Sequence, residues 1–146
     1  MKIVTALVTT ILSASAAVAD VNLDDVYGRY ELTQEQMGIC SQEVWVQEED
    51  ATLETETPTV LIGQYYFPRV NAGSFVREDQ FERAELRSYT SGSGLIFKKR
   101  SYDKILKRSE SQTTTAQFRG AQMFLSNQYI GELGSTTRCS YRRARS

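Results

Sequence analysis

Phe81-Glu82-Arg83-Ala84-Glu85-Leu86-Arg87-Ser88-Tyr89-Thr90-Ser91-Gly92-Ser93-Gly94-Leu95-Ile96-Phe97-Lys98-Lys99 is the stretch that decides the fold. In its first half Ala84, Leu86 and Ser88 fall on one side of an extended chain, and Arg83, Glu85 and Arg87 on the other. Side chains of a strand point alternately to opposite faces, so this pattern predicts a strand with one face turned inward. Ser91-Gly92-Ser93-Gly94 is turn chemistry, and Leu95-Ile96-Phe97-Lys98-Lys99 resumes a β-prone run. The unit reads as an antiparallel hairpin. A helical turn over Phe81–Leu86 is the local alternative.

The same grammar extends in both directions. Upstream, Tyr27–Thr33 alternates from Tyr30 on, Val44 and Val46 share one face, and Val60–Phe67 is a continuous apolar run closed by Pro68. Ser74–Arg77 follows the turn signal Asn71-Ala72-Gly73. Downstream come Lys104–Lys107, Thr113–Arg119, Gln122–Leu125, Gln128–Leu133 and Thr137–Arg142, punctuated by Gly120, Ser126-Asn127 and Gly134-Ser135. Apolar positions at helical spacing are sustained nowhere. About eight to ten short strands with short links predict an all-β, antiparallel up-and-down meander. It closes into a small barrel or folds as a β-sandwich.

The two cysteines help choose between these. Cys40 follows the first strand of the meander and Cys139 lies in the last. In a closed meander the first and last strands are neighbours, so a Cys40–Cys139 bond would staple the closing seam. That favours the barrel. Closing so long a loop stabilises by about 4–5 kcal/mol on the chain-entropy account. Neither cysteine sits in a C-x-x-C motif, so the pair reads as structural.

Gly28-Arg29-Tyr30 opens the first strand, and in this setting it resembles the lipocalin-like (calycin) group. Members of that group often begin with Gly-x-Trp; the Trp closes one end of the barrel and an Arg from the last strand packs over it. Tyr30 stands at the Trp position, beside Gly28, and Arg138 is the candidate for the covering Arg. The resemblance implies an eight-stranded barrel whose open end holds a small apolar ligand. Tyr30, Trp45, Tyr65 and Phe97 are the expected ligand-binding residues.

Export follows from the start of the chain. Met1-Lys2 is positive, Ile3–Leu12 is apolar, and Ala17-Val18-Ala19 fits a small-x-small cleavage site. Residues 1–19 therefore read as a signal peptide and 20–146 as a single domain, destined for a bacterial periplasm or beyond. Export is also where a disulfide persists. The apolar stretch is shorter than the roughly 20 residues of a membrane-spanning helix, and the processed chain holds no second one.

The chain has 146 residues and no histidine, which removes Ser-His-Asp and Cys-His catalysis, histidine metal ligands and the imidazole switch. Glu48-Glu49-Asp50 is the densest acidic run, but a strand would send Glu49 away from its neighbours and scatter any metal ligands. No metal, cofactor or enzymatic activity is expected. Charge is uneven: residues 20–60 carry eleven acids and one base, and residues 61–146 fifteen bases and seven acids. The plain reading is acidic early strands beside basic late ones. The functional reading is a basic side, Lys98-Lys99-Arg100 with Lys104, Lys107 and Arg108, facing anionic lipid or an acidic protein. Nucleic acid is excluded by net charge and export.

Two functions are compatible with this reading. One is a non-enzymatic barrel holding a small apolar or amphiphilic molecule in its open end. The other is a protein-binding module, such as a periplasmic inhibitor of a hydrolase, with a filled core and a recognition surface at Glu48–Pro58 or Asn71–Asp79. Trp45 points opposite to Val44 and Val46, so either the valines or the tryptophan face the interior.

Overall fold

The computed structural model describes residues 21–49, 59–68 and 70–145. The expected signal peptide, Asp20 and residues 50–58, with most of the candidate loop Glu48–Pro58, lie outside the described residues.

The described residues form one ten-stranded antiparallel sheet, not a sandwich. Its strands are β1 (Gly28–Met37), β2 (Glu43–Glu49), β3 (Thr59–Ile62), β4 (Tyr65–Pro68), β5 (Ser74–Glu78), β6 (Glu82–Ser91), β7 (Gly94–Asp103), β8 (Arg108–Arg119), β9 (Gln122–Ile130) and β10 (Ser135–Arg143). A short 3-10 turn, Leu23–Asp25, precedes them. The spatial order is β4-β3-β2-β1-β10-β9-β8-β7-β6-β5. The first and last strands are therefore hydrogen-bonded neighbours, as the meander predicts. The edges are β4 and β5, which are consecutive in the chain, so the sheet opens in its middle rather than at its termini. It curls strongly into a half-barrel, and β4 comes to lie against β7 and β6.

Local chemistry explains where the strands begin and end. The decisive hairpin is as read: β6 and β7 pair from Glu82↔Asp103 to Ser91↔Gly94, and Phe81–Leu86 is not helical. Val60–Phe67, expected as one run, is two strands. Gly63 and Gln64 turn the chain between β3 and β4, and Gly63 takes φ 58°, a conformation that costs a residue without Cβ little. Lys104–Lys107, expected as a strand, is a turn, because the Asp103 carboxylate accepts the backbone N–H groups of Ile105 and Leu106 at 2.8 Å each. Ser126-Asn127, expected as a break, lies inside β9.

Inward positions of the strands meet in the upper half of the curl, the end bearing the tight turns Gly92-Ser93 and Gly120-Ala121. Tyr30, Ile62, Phe67, Leu95, Met123 and Tyr141 are fully buried there, with Val44, Val46, Val60, Ala116 and Leu125 around them. Burial of a side chain of this size contributes roughly 1.5–3 kcal/mol. Phe67 and Phe97 meet edge to face across the hollow, with centroids 6.1 Å apart. The N-terminal segment caps this end: Val21 donates its N–H to the Gly92 carbonyl at 2.8 Å, and Val26 joins the core.

The disulfide joins Cys40, just past β1, to Cys139 of β10, with Cα atoms 5.9 Å apart. It spans the pairing of the chain's first and last strands. The ion pairs among the described residues are more local than expected. Arg29 pairs with Glu31 and Glu43 within the acidic early strands, and Glu82, Glu78 and Glu132 serve the basic late ones.

Candidate functional site

The upper end of the half-barrel is closed by an aromatic–arginine stack. Tyr30 is fully buried and donates its hydroxyl to the Val26 carbonyl at 2.8 Å. Arg143, its register partner on β10, lies 5.4 Å above the ring centroid and donates from Nη2 to the Tyr30 hydroxyl at 3.0 Å. A second bond from Arg143 reaches the Asp25 carbonyl. Gly28, at φ 145°, is the residue beside Arg143. The covering arginine is thus Arg143 and not Arg138. Two irregularities in the β1–β10 register, at Leu32/Gln34 and Glu35/Met37, intervene, and Arg138 lies opposite Met37, far down the strand pair and exposed.

The four residues expected to hold a ligand do not form one site. Tyr30 and Phe97 belong to the filled core. Trp45 is 51% exposed on the outer face, where Nε1 donates to Glu43 at 2.8 Å; the valines beside it face inward. Tyr65 is half-buried beside the disulfide, at a cavity of about 40 Å³ that Cys40, Cys139 and Tyr141 also line. That volume has room for water, not for an amphiphile. Burial pushes the Tyr141 hydroxyl above its usual pKa, helped by Tyr65 and by the Glu35 carboxylate.

The lower half of the curl is different. β2, β3 and β4 are short and pair only near the top, so β1, β10, β9, β8, β7, β6 and β5 form an open trough below. Its inward positions turn polar: Lys99 and Ser101 on β7, Glu110, Gln112 and Thr114 on β8, Asn127 and Tyr129 on β9. Thr114 and Gln112 both donate to Asn127 Oδ1, at 2.8 and 2.9 Å, which locks the floor of the trough. Lys99 pairs with Glu82 at 3.1 Å. Tyr129 hydrogen-bonds to the Glu110 carboxylate, which raises the Tyr129 pKa. At the lower lip a hollow of about 180 Å³ is lined by Phe81, Glu82, Ser101, Asp103 and Glu110. The sequence reading missed this region because polar inward positions on β8 look like an ordinary solvent face. The available signal was Asn127 within an otherwise alternating strand.

No family profile, curated protein or solved structure matches the chain. The site therefore rests on its own geometry. Among the described residues no cluster of His, Cys, Asp or Glu is arranged to hold a metal ion, and no helix is long and apolar enough to cross a membrane.

The lip of the trough is a set of loops carrying exposed apolar side chains, two of them stiffened by hydrogen bonds. Ile39, between β1 and β2, is 93% exposed and Leu133, between β9 and β10, 85%. Ile105 and Leu106, between β7 and β8, and Phe81, between β5 and β6, are also exposed. Asp79 Oδ1 accepts the N–H groups of Phe81 and Glu82 at 2.7 Å each. Lys104 ties the two neighbouring loops: its N–H reaches the Phe81 carbonyl at 2.8 Å, and Nζ reaches the Asp79 carbonyl at 2.6 Å and Glu78 at 2.8 Å.

These bonds set a pH dependence. The backbone donors hold the Asp79 carboxyl below its usual pKa, and Lys104 does the same for Glu78, first through its hydrogen bond and then through its charge. A depressed folded-state pKa stabilises above the ordinary carboxylate range, and that contribution is lost as pH falls through the folded value. The Phe81 and Glu82 amides should therefore stay protected from hydrogen exchange, after correction for intrinsic rates, down to about pH 4 and lose protection below it. In Asp79→Ala the protection should be low throughout. Unchanged protection in that variant would show that the carboxylate does not hold the turn.

Proposed function

We propose that the chain is a non-enzymatic binding protein, exported, that takes a small amphiphilic molecule at the open lower end of its half-barrel. One observation carries the reading: the upper end is filled and capped, whereas below it a polar trough meets a lip of exposed apolar side chains. An amphiphile needs both, with a polar group against Lys99, Gln112 and Asn127 and an apolar portion against Phe81. This moves the ligand from the barrel interior, where Tyr30 and Phe97 were expected to hold it, to the lip. The resemblance to lipocalin-like proteins supports only the general plan of a cup with one closed end. The disulfide and the lack of a membrane-crossing helix among the described residues are compatible with export.

The test is titration with an environment-sensitive apolar dye, displaced by a monomeric single-chain amphiphile below its micelle concentration. Saturable, displaceable binding is expected, weakened about tenfold in Phe81→Ser, the loss of one buried aromatic contact. Binding insensitive to Phe81, or no binding, would overturn the lower-end site. The alternative, a protein-binding module, draws on β5, which among the described strands lies at the edge of the sheet and carries exposed Val76.

A further inference from the structure

We propose that the loop rim at the lower end docks on a lipid bilayer bearing anionic headgroups. The inference extends the function proposed above, since docking would bring the trough to a source of amphiphiles, but it stands on separate observations.

The first is placement. Of the large apolar side chains exposed among the described residues, Met37, Ile39, Phe81, Tyr102, Ile105, Leu106, Ile130 and Leu133 lie at this end of the sheet; only Trp45, Tyr66 and Val76 lie elsewhere. The described loop residues at the opposite end, Gly92-Ser93, Gly120-Ala121 and 70–73, carry none. The apolar tips sit on adjacent connections of the curved sheet, β1–β2, β9–β10, β7–β8 and β5–β6, so they form one rim. A soluble surface rarely gathers its apolar side chains in this way without a partner. Single aliphatic tips spaced along separate hairpins do not make a flat, close-packed patch suited to a protein; they suit a fluid that closes around each tip.

The second observation is charge. Lys104-Ile105-Leu106-Lys107-Arg108 places two exposed apolar residues between cations. Lys104 is held by Glu78 and Arg108 by Glu132, so Lys107, exposed and without an ion pair among the described residues, is the cation placed to stay at the phosphates while the apolar tips enter the acyl boundary. Just above the tips, on the outer face, lies a shallow depression of about 340 Å³ lined by Arg83 and Arg100 with Tyr102 and Ile130. Neither arginine is within ion-pair distance of a carboxylate among the described residues, although Glu85 and Glu110 also border the depression and Glu78, opposite Arg83 on β5, feels its charge. Two guanidinium groups beside an aromatic ring and an aliphatic side chain suit a lipid phosphate and the start of its acyl chain. The third observation is that the tips of the β5–β6 and β7–β8 loops are preset: the Asp79 and Asp103 carboxylates and the Lys104 tie hold Phe81, Ile105 and Leu106 out, so little ordering of these loops is needed on docking.

Insertion is read with the full chain carrying Trp45→Phe and Ile105→Trp, which leaves one tryptophan, at the tip. With vesicles of equimolar phosphatidylcholine and phosphatidylglycerol, its emission should shift to the blue and be quenched by brominated acyl chains. A variant combining Ile105→Ser, Leu106→Ser and Leu133→Ser should lower the vesicle-bound fraction at least tenfold. Arg83→Gln with Arg100→Gln should weaken binding to these vesicles and leave the weaker binding to pure phosphatidylcholine unchanged. All the substituted side chains are exposed and should leave the circular dichroism intact. An unshifted, unquenched reporter, or equal binding by the serine variant, overturns the proposal and leaves the rim to a protein partner. The dye titration with monomeric amphiphile, done without vesicles, shows separately whether the lower-end site survives.

Discussion

Replacing Cys139 with serine should lower the stability of the protein by about 3–5 kcal/mol and its melting temperature by roughly 10 °C or more under non-reducing conditions. The bond closes a loop across a sequence separation of 99, near the top of the range that chain entropy assigns to a disulfide. The fold makes the position matter further. β2 pairs with β1 from Gly28 to Glu31, so among the described strands the lower half of β1 has β10 as its sole neighbour. That neighbouring ladder is itself interrupted twice. Without the covalent tie, Leu32–Met37 should exchange its amides well before the β6–β9 strands do. Cys40→Ser should behave alike, and the double variant should be no worse than either single one, because both remove the same bond. Melting unchanged from the wild type would show that the β1–β10 pairing holds without the sulfur bridge.

What the residues disclosed in advance follows the physics of alternation. β6 was legible because it alternates between a charged face and one of small or apolar residues, and β7 because a β-prone run, Leu95–Lys99, follows the turn at Gly92. The neighbour relation of β1 and β10 was legible because two lone cysteines have a single intramolecular pairing, and the closing seam of a meander joins its first and last strands. The strand count was less so. Val60–Phe67 is apolar on both sides of Gly63, and a turn between two buried strands has no polar signal. The identity of the arginine above Tyr30 depends on register irregularities in β1, and a bulge leaves no compositional mark. Trp45 and its flanking valines are all good core residues, so the pattern allowed either phase, and neighbours decided it. The open edge between β4 and β5 was not legible at all, since it lies between consecutive strands where a meander predicts pairing. The apolar tips were hidden for a related reason. Ile105-Leu106 reads as strand until Asp103 is recognised as the acceptor that turns the chain.

The open edge leads to the second large effect. Among the described strands β4 pairs with β3 alone, over four residue pairs, and lies against β7 and β6 without pairing with them. Phe67 is the centre of that contact, fully buried and set edge to face against Phe97. A strand so short cannot hold the curl by its ladder, so closure of the upper half depends on this apolar meeting rather than on backbone pairing. Phe67→Ala should cost about 3–5 kcal/mol, combining lost transfer energy with a cavity that the paired strands behind it cannot fill. Phe67→Leu, which keeps most of the volume, should cost less than about 1.5 kcal/mol. Tyr66→Ala is the control: Tyr66 alternates to the outside of the same strand and its loss should stay within roughly 0.5 kcal/mol. Urea unfolding measures the three. Hydrogen exchange should find the β3–β4 hairpin opening first in Phe67→Ala, with the β7–β10 ladder little changed. If Phe67→Ala and Tyr66→Ala cost the same, side-chain packing across the hollow does not close the half-barrel.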